Sequence, residues 1–303
     1  MKTTIHTLIQ RACTTVPGDS PFLDALVLME WATGIPRANL LAELQTPVPD
    51  FPAPESDWQE RFETAIRRRS PGYPVAYITG EKEFFGRSFF VNEDVLIPRP
   101  DTEVLVEQAL RVIDTIANTR TESAIRVHDC CTGSGCIAIT IAAQTRNTTP
   151  PVTVTMSDAS SPALDVAARN ARAILGYELD GWKANILCAA EPGKTARFDV
   201  ITANPPYLTA TETTDALALG WKEPECALNG GPDGLRLISL LLEQIPASLA
   251  AGGALLVECA PLQVPAIEGM MYEHGFSTVE YVCDLGGHPR VVVGEGFQID
   301  NQY

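Results

Sequence analysis

Short apolar, β-branched runs alternate with helical segments from residue 125 to the end, and this alternation constrains the fold more than any other feature. Strands are expected at 124–129, 152–157, 185–188, 198–203 and 254–259, with a closing pair that ends at 291–293. Helices are expected after Gly135, from Ser161 with Pro162 in the first turn, and over 234–249. Such an order buries its apolar faces best as a mostly parallel sheet with helices on both sides. The expected fold class is therefore α/β, with a Rossmann-like, mostly parallel sheet.

The preceding hundred residues follow a different pattern. Leu23, Leu26, Leu28, Met29 and Trp31 form one apolar stretch, and Trp58, Phe62 and Ile66 recur at helical spacing before Arg67, Arg68 and Arg69. Pro36, Pro47, Pro49, Pro52 and Pro54 break this region into short helices. Between Tyr73 and Pro98 aromatic and β-branched residues take over, with Gly80 and Gly86 as turn formers, which predicts a hairpin. Asp101 is placed to cap a helix carrying Val104, Leu105, Leu110, Ile113 and Ile116. A chain of 303 residues suits two domains. The expected division is a helical domain at 1–72, a β-hairpin linker at 73–100 and the α/β domain at 101–303.

Charge narrows the partners. Thirty-eight acidic residues against 22 basic ones give a net charge of −16, a field that repels phosphate backbones and anionic lipid. Direct nucleic-acid binding is therefore not expected. No apolar run reaches the roughly 20 residues of a membrane span, and the first twenty residues are polar, so a cytoplasmic protein without membrane attachment is expected. Eight cysteines without paired C-x-x-C spacing and four scattered histidines predict no metal site.

Two constellations carry chemistry. The first, Asp129-Cys130-Cys131-Thr132-Gly133-Ser134-Gly135, leaves a strand and opens a helix. Its glycines let backbone approach a ligand, and a helix amino terminus offers free N–H groups. Asp158 ends the next strand, where its carboxylate can accept both hydroxyls of a ribose. A dinucleotide site is disfavoured because the G-x-G-x-x-G spacing is absent. The second constellation, Asn204-Pro205-Pro206-Tyr207, ends the strand at 198–203. Asn before Pro is kept out of the helical region, and two prolines fix φ and remove N–H donors. The Asn204 amide oxygen and the Pro205 carbonyl can then converge as two acceptors beside the Tyr207 ring, a clamp suited to a planar NH2 group.

These motifs resemble the HemK/PrmC family of peptide-chain release factor glutamine methyltransferases. The resemblance runs along nearly the whole chain: residues 74–80 (PVAYITG), 96–103 (LIPRPDTE), 132–138 (TGSGCIA), 204–207 (NPPY), 230–235 (GGPDGL), 284–286 (DLG) and 290–292 (RVV). It implies a class I S-adenosylmethionine-dependent methyltransferase with a small N-terminal helical domain. It also implies S-adenosylmethionine as cofactor and methylation of the glutamine of a Gly-Gly-Gln motif in class I release factors. On matching positions, Cys131, Thr132, Gly133, Ser134 and Gly135 would border the methionine part of the cofactor and Asp158 its ribose. Glu191 and Pro192 would meet the adenine edge. Asn204, Pro205, Pro206 and Tyr207 would hold the substrate glutamine, with Asn204 also beside the cofactor and Asn204, Pro205 and Tyr207 as catalytic residues. Arg99, with Thr102 and Glu103, would order the segment that roofs the site. The family usually carries Gly where this chain has Cys131. A neighbouring branch that methylates a ribosomal-protein glutamine resembles this chain there, and the same clamp also suits the exocyclic amine of adenine in nucleic acid. Both remain alternatives at this point.

Overall fold

The computed structural model describes residues 3–54, 56–120, 123–187 and 197–299. The chain divides into two compact units, residues 1–81 with 216–222, and residues 82–215 with 223–303.

The first unit holds α1 (Ile5–Cys13), α2 (Pro21–Thr33), α3 (Arg37–Ala42), α4 (Trp58–Arg69) and α5 (Val75–Thr79). Pro21 starts α2 and Gly34, in the left-handed conformation, ends it, as short helices between turn formers require. Ile5, Ile9, Leu28, Met29, Leu40, Trp58 and Phe62 bury one shared core. The arginines of α4 face their own unit. Arg61 lies over the Trp31 ring, Arg68 over Tyr73, and Arg69 Nε donates to Asp24 Oδ2 at 2.8 Å. The expected boundary at residue 72 moves to residue 81 because Ile78 is buried in this core and Tyr73 and Val75 pack against it. The hairpin is correspondingly shorter than expected. Residues 75–79 coil into α5 between Pro74 and a left-handed Gly80, leaving β1 (Glu81–Phe84) and β2 (Arg87–Phe90) as its two strands.

The second unit continues with α6 (Glu103–Thr119), β3 (Ile125–Cys130), α7 (Cys136–Gln144), β4 (Val152–Asp158), α8 (Ser161–Leu175), β5 (Asp180–Lys183), β6 (Phe198–Ala203), α9 (Ala210–Ala218, whose last residues belong to the first unit), α10 (Arg236–Ser248), β7 (Leu249–Glu258), α11 (Val264–Glu273), β8 (Thr278–Cys283) and β9 (Pro289–Glu295). Two expectations are corrected. Residues 185–187 form a turn, and the strand expected there is β5, because it is Asp180–Lys183 that pairs with Thr155–Asp158. Asp101 does not cap α6: its carboxylate is drawn to Arg290 Nη2 at 3.3 Å, and Thr102 occupies the cap position without a side-chain cap bond.

Seven strands form one sheet in the order β5-β4-β3-β6-β7-β9-β8, parallel from β5 to β7, with β9 antiparallel to both neighbours. Strand side chains alternate faces. Val127, Val200, Leu256 and Val293 enter a core with α6, α7 and α8, while Ile201, Leu255, Val257 and Val292 enter a second with α10 and α11. Both faces of the sheet are buried, which explains why the central strands read as continuous apolar runs. On the second face His128 lies between the rings of Trp182 and Phe198, each 4.7 Å away and nearly parallel, and bonds Thr155 Oγ1 and Ser157 Oγ. Burial pushes its pKa down to about 3, so it serves as a neutral packing group.

The order of the strands positions the site. The chain moves outward from β3 through β4 to β5, then returns to the other side of β3 to lay down β6 and β7. The connections after β3 and β6 therefore leave in opposite directions, opening a crevice at the carboxyl ends of these neighbouring strands.

Candidate active site

A cavity of about 550 Å3 opens at that crevice. Cys131, Thr132, Gly133, Ser134, Asp158, Asn204, Pro206, Arg99 and Thr102 line it. Both sequence constellations thus meet in one place. Pro205 and Tyr207 belong to the same turn but do not line the cavity, and Gly135 sits behind it in the packing. Glu191 and Pro192 lie outside the described residues.

The loop after β3 is held from three sides. Thr132 N donates to Ser157 O on β4 at 3.0 Å, Gly133 N donates to Asp158 Oδ2 at 2.9 Å, and the Thr132 hydroxyl donates to Asp129 Oδ2 at 2.6 Å. Asp129 is completely buried, and its other oxygen accepts the Thr202 hydroxyl from β6 at 2.7 Å. One carboxyl thereby ties the loop after β3 to the strand that leads into Asn204. Burial raises this carboxyl to about 7, against the pull of those two hydroxyls. Gly135 cannot be replaced cheaply: its φ is +79°, and a Cβ would stand 2.7 Å from Ile139 and 3.1 Å from Ala167. Cys131 also takes positive φ, +55°, a conformation that strains a residue with a side chain. Its half-buried thiol lines the cavity, and burial raises its pKa well above the usual thiol range.

Asp158 joins β4 to the cavity. Its Oδ1 accepts Ser160 N at 2.9 Å, and burial raises its carboxyl above the ordinary range, against these backbone bonds. A carboxylate accepts about four hydrogen bonds, so capacity remains for a ligand's hydroxyls.

Asn204 is oriented by one bond. Its Nδ2 donates to Thr102 Oγ1 at 3.2 Å, which leaves Oδ1 as the acceptor available to a ligand; nothing among the described residues donates to it. The Tyr207 hydroxyl is turned away from the cavity and donates to Glu258 Oε1 at 3.3 Å. Arg99 Nη2 donates to the buried Glu223 at 2.6 Å, fixing the roof segment. Glu103 points elsewhere: its Oε1 accepts Phe85 N at 2.9 Å in the β1–β2 turn.

Several residues outside the two constellations shape the site. Gln263 donates from Nε2 to Tyr207 O at 2.9 Å, and its Oε1 accepts Ala260 N at 3.0 Å. The stretch Gly230–Gly234 cradles the same turn. A Cβ on Gly230 would stand 2.6 Å from Pro206 O, and one on Gly234 2.2 Å from Tyr207 O. Glu258 is buried at the end of β7, following the wholly apolar Leu255, Leu256 and Val257. A lone carboxylate closing a buried strand is the signal that could have singled it out.

The PrmC N-terminal domain family matches residues 10–80, and the methyltransferase small domain family matches residues 110–221. A release factor glutamine methyltransferase of Neisseria gonorrhoeae is 37% identical over 91% of this chain and 93% of its own. That of Bacillus subtilis is 33% identical over 88% and 89%. This chain belongs to the release factor glutamine methyltransferase family. Among solved structures, the hMettl16 catalytic domain aligns over 82% of each chain at 13% identity with a TM-score of 0.52, a likeness of fold. The fold is that of a class I methyltransferase. The cavity lies where the loop after β3 and the turn after β6 converge.

Proposed function

We propose that this chain transfers a methyl group from S-adenosylmethionine to the side-chain amide nitrogen of a glutamine in class I release factors. The observation that carries the reading is the placement of Asn204 on the wall of the cavity, its amide nitrogen bonded to Thr102 and its oxygen without a donor among the described residues, in the same lining as the loop Cys131–Ser134 and Asp158. The donor set suits the cofactor. Asp158 would accept its ribose hydroxyls, Cys131 to Ser134 would border its methionine part, and the volume suits a nucleoside-sized ligand.

S-adenosylmethionine supplies an electrophilic sulfonium methyl. A carboxamide nitrogen is a poor nucleophile because its lone pair is delocalised into the carbonyl, so orientation must do most of the work. Asn204 Oδ1 and the Pro205 carbonyl would accept the two N–H bonds of the glutamine amide and aim its lone pair. Both are neutral acceptors, and Asn204 is oriented before substrate arrives by its bond to Thr102. No strong base is required: the amide nitrogen is positively charged once it carries the methyl, so the one N–H proton it must then lose is strongly acidic. Arg99 and its segment would exclude water that competes for the clamp.

The acidic charge argues against a nucleic-acid substrate, and the arginines of α4 do not form a basic track, since Arg61, Arg68 and Arg69 are engaged within their own unit. A cytoplasmic location fits this substrate; among the described residues no helix is long and apolar enough to cross a membrane. The test offers radiolabelled S-adenosylmethionine with purified class I release factor, ribosomal protein or an adenine-containing oligonucleotide. Label on the release-factor glutamine is expected. Label confined to ribosomal protein or nucleic acid, or none at all, would overturn the reading.

A further inference from the structure

Asp129 uses each of its two carboxyl oxygens on one threonine, and the two threonines belong to the two halves of the site. Oδ2 accepts the Thr132 hydroxyl at 2.6 Å, and Oδ1 accepts the Thr202 hydroxyl at 2.7 Å. Thr132 lines the cavity in the loop after β3. Thr202 does not line it; wholly buried, it stands on β6 two residues before Asn204. Burying a carboxyl in a sheet is costly, and an apolar pair at 129 and 202 would serve stability better. Packing alone does not account for this bridge.

Asp129 and Thr202 are register partners across the β3–β6 pair, so their side chains share a face of the sheet. Val127 and Val200, two residues earlier on each strand, enter the core with α6, α7 and α8, which puts Asp129 and Thr202 on that side. Asn204 follows on the same side, because alternation continues through a residue that its proline neighbour keeps extended. Its amide accordingly reaches Thr102, at the cap position of α6. Thr202 thus anchors β6 just before the clamp, and a roll of the strand about its axis at 202 turns Asn204 with it.

We propose, taking the methyl-transfer reading as its basis, that Thr202 is a positioning residue for both reactants. Through Asp129 its hydroxyl steadies Thr132 in the loop that would border the cofactor, and the same bond sets the roll of β6 that aims Asn204 at the glutamine amide. Valine at 202 keeps the volume and suits a strand but donates nothing. Asp129 Oδ1 is then left without its donor, which loosens Thr132 on one side and frees the end of β6 on the other. Backbone bonds limit the damage: Thr132 N still donates to Ser157 O and Gly133 N to Asp158 Oδ2, so the loop shifts without unravelling. At pH 8, above the value of about 7 to which burial raises it, Asp129 is ionised and accepts from both hydroxyls.

The test compares wild type, Thr202→Val and Thr202→Ser at pH 8, by single-turnover and steady-state methylation of release factor and by calorimetric binding of S-adenosylmethionine. Thr202→Val is expected to lower kcat about 10-fold and to raise the cofactor Kd about fivefold, with KM for release factor within about twofold. Thr202→Ser keeps the donor and should bring both values to within about twofold of wild type. Ile201→Val, which trims the neighbouring side chain in the opposite core, costs stability without touching the bridge and should leave both unchanged. In a Thr132→Val background, Thr202→Val should alter the cofactor Kd by less than about twofold, because the path from 202 to the loop is already cut. Wild-type kcat or wild-type cofactor affinity in Thr202→Val would overturn the proposal. So would affinity losses that multiply in the double variant, a Thr202→Ser protein as impaired as Thr202→Val, or equal losses in Ile201→Val. If Thr202→Val does not fold, Asp129→Asn reads the bridge from its centre by exchanging one acceptor oxygen for a donor; unchanged kcat and cofactor Kd there would overturn the proposal equally. Wild type that labels no release factor would instead refute the underlying reaction, while the cofactor arm of the comparison still reads the bridge.

Discussion

Replacing Gly234 with Ala tests how the turn that carries Asn204 is held. Gly234 has φ +75°, where a side chain costs about 1 to 2 kcal/mol. A Cβ there would stand 2.2 Å from Tyr207 O and 2.3 Å from Gln263 Nε2, so these groups must retreat by about 1 Å to reach ordinary contact. Overpacking of this kind costs about 1 to 3 kcal/mol, and separating Gln263 from the Tyr207 carbonyl, now 2.9 Å apart, forfeits about 0.5 to 1.5 kcal/mol more. The expected loss of stability is about 3 to 6 kcal/mol. Because the displaced carbonyl lies three residues from Asn204, methyl transfer in the remaining folded protein should fall by up to about 100-fold, the loss a 1 Å misplacement can bring. Gly252→Ala is the control. It has φ +76° with nothing within 4 Å of the added atom, so it should lose only the 1 to 2 kcal/mol of backbone strain and keep its activity. Urea unfolding and single-turnover methylation of both variants decide the matter. Gly234→Ala that unfolds like Gly252→Ala and transfers methyl at the wild-type rate would refute the cradle.

Asp158→Ala should weaken S-adenosylmethionine binding by about 1.5 to 3 kcal/mol, the range for hydrogen bonds to a charged group, and calorimetry showing unchanged affinity would remove it from the cofactor site. His128 is held down to about 3 from 6.5, so its neutral form favours the fold and its contribution is lost as pH falls below 6.5. Between pH 6.5 and 4 that loss is about 3 kcal/mol, and His128→Gln should flatten this limb of the urea-derived stability curve; an unchanged slope would show that His128 charges freely in the folded protein.

Much of this arrangement is legible in the sequence, and the reasons are local. The βα alternation is written in the side chains because a sheet covered on both faces needs apolar residues at successive positions, as in Val257, Leu256 and Leu255. Asn204-Pro205-Pro206-Tyr207 and the loop Cys131–Gly135 were visible because prolines and glycines restrict or free the backbone wherever they occur. Other features depend on long-range partners. Asp101 has the composition of a helix cap, but Arg290, 189 residues later, takes its carboxylate. The turn at 185–187 displaced an expected strand because edge pairing with β4 selects Asp180–Lys183. The Tyr207 ring was expected beside the clamp, yet a buried carboxyl on β7 draws its hydroxyl away from the cavity. Glu258 and Gln263 act on a turn they approach only through the sheet and its connections, and a linear pattern does not record such meetings.

The account rests on Asn204 as the oriented acceptor for the target amide, and Asn204→Ala tests this most directly. Single-turnover methylation of release factor, read with cofactor calorimetry and thermal melting, should show transfer reduced by about 100-fold to 1000-fold, the effect of deleting one preorganised hydrogen-bonding group. Cofactor affinity should stay within about threefold and the melting temperature near that of wild type. Near-normal transfer by a folded Asn204→Ala protein would contradict the clamp and the mechanism built on it.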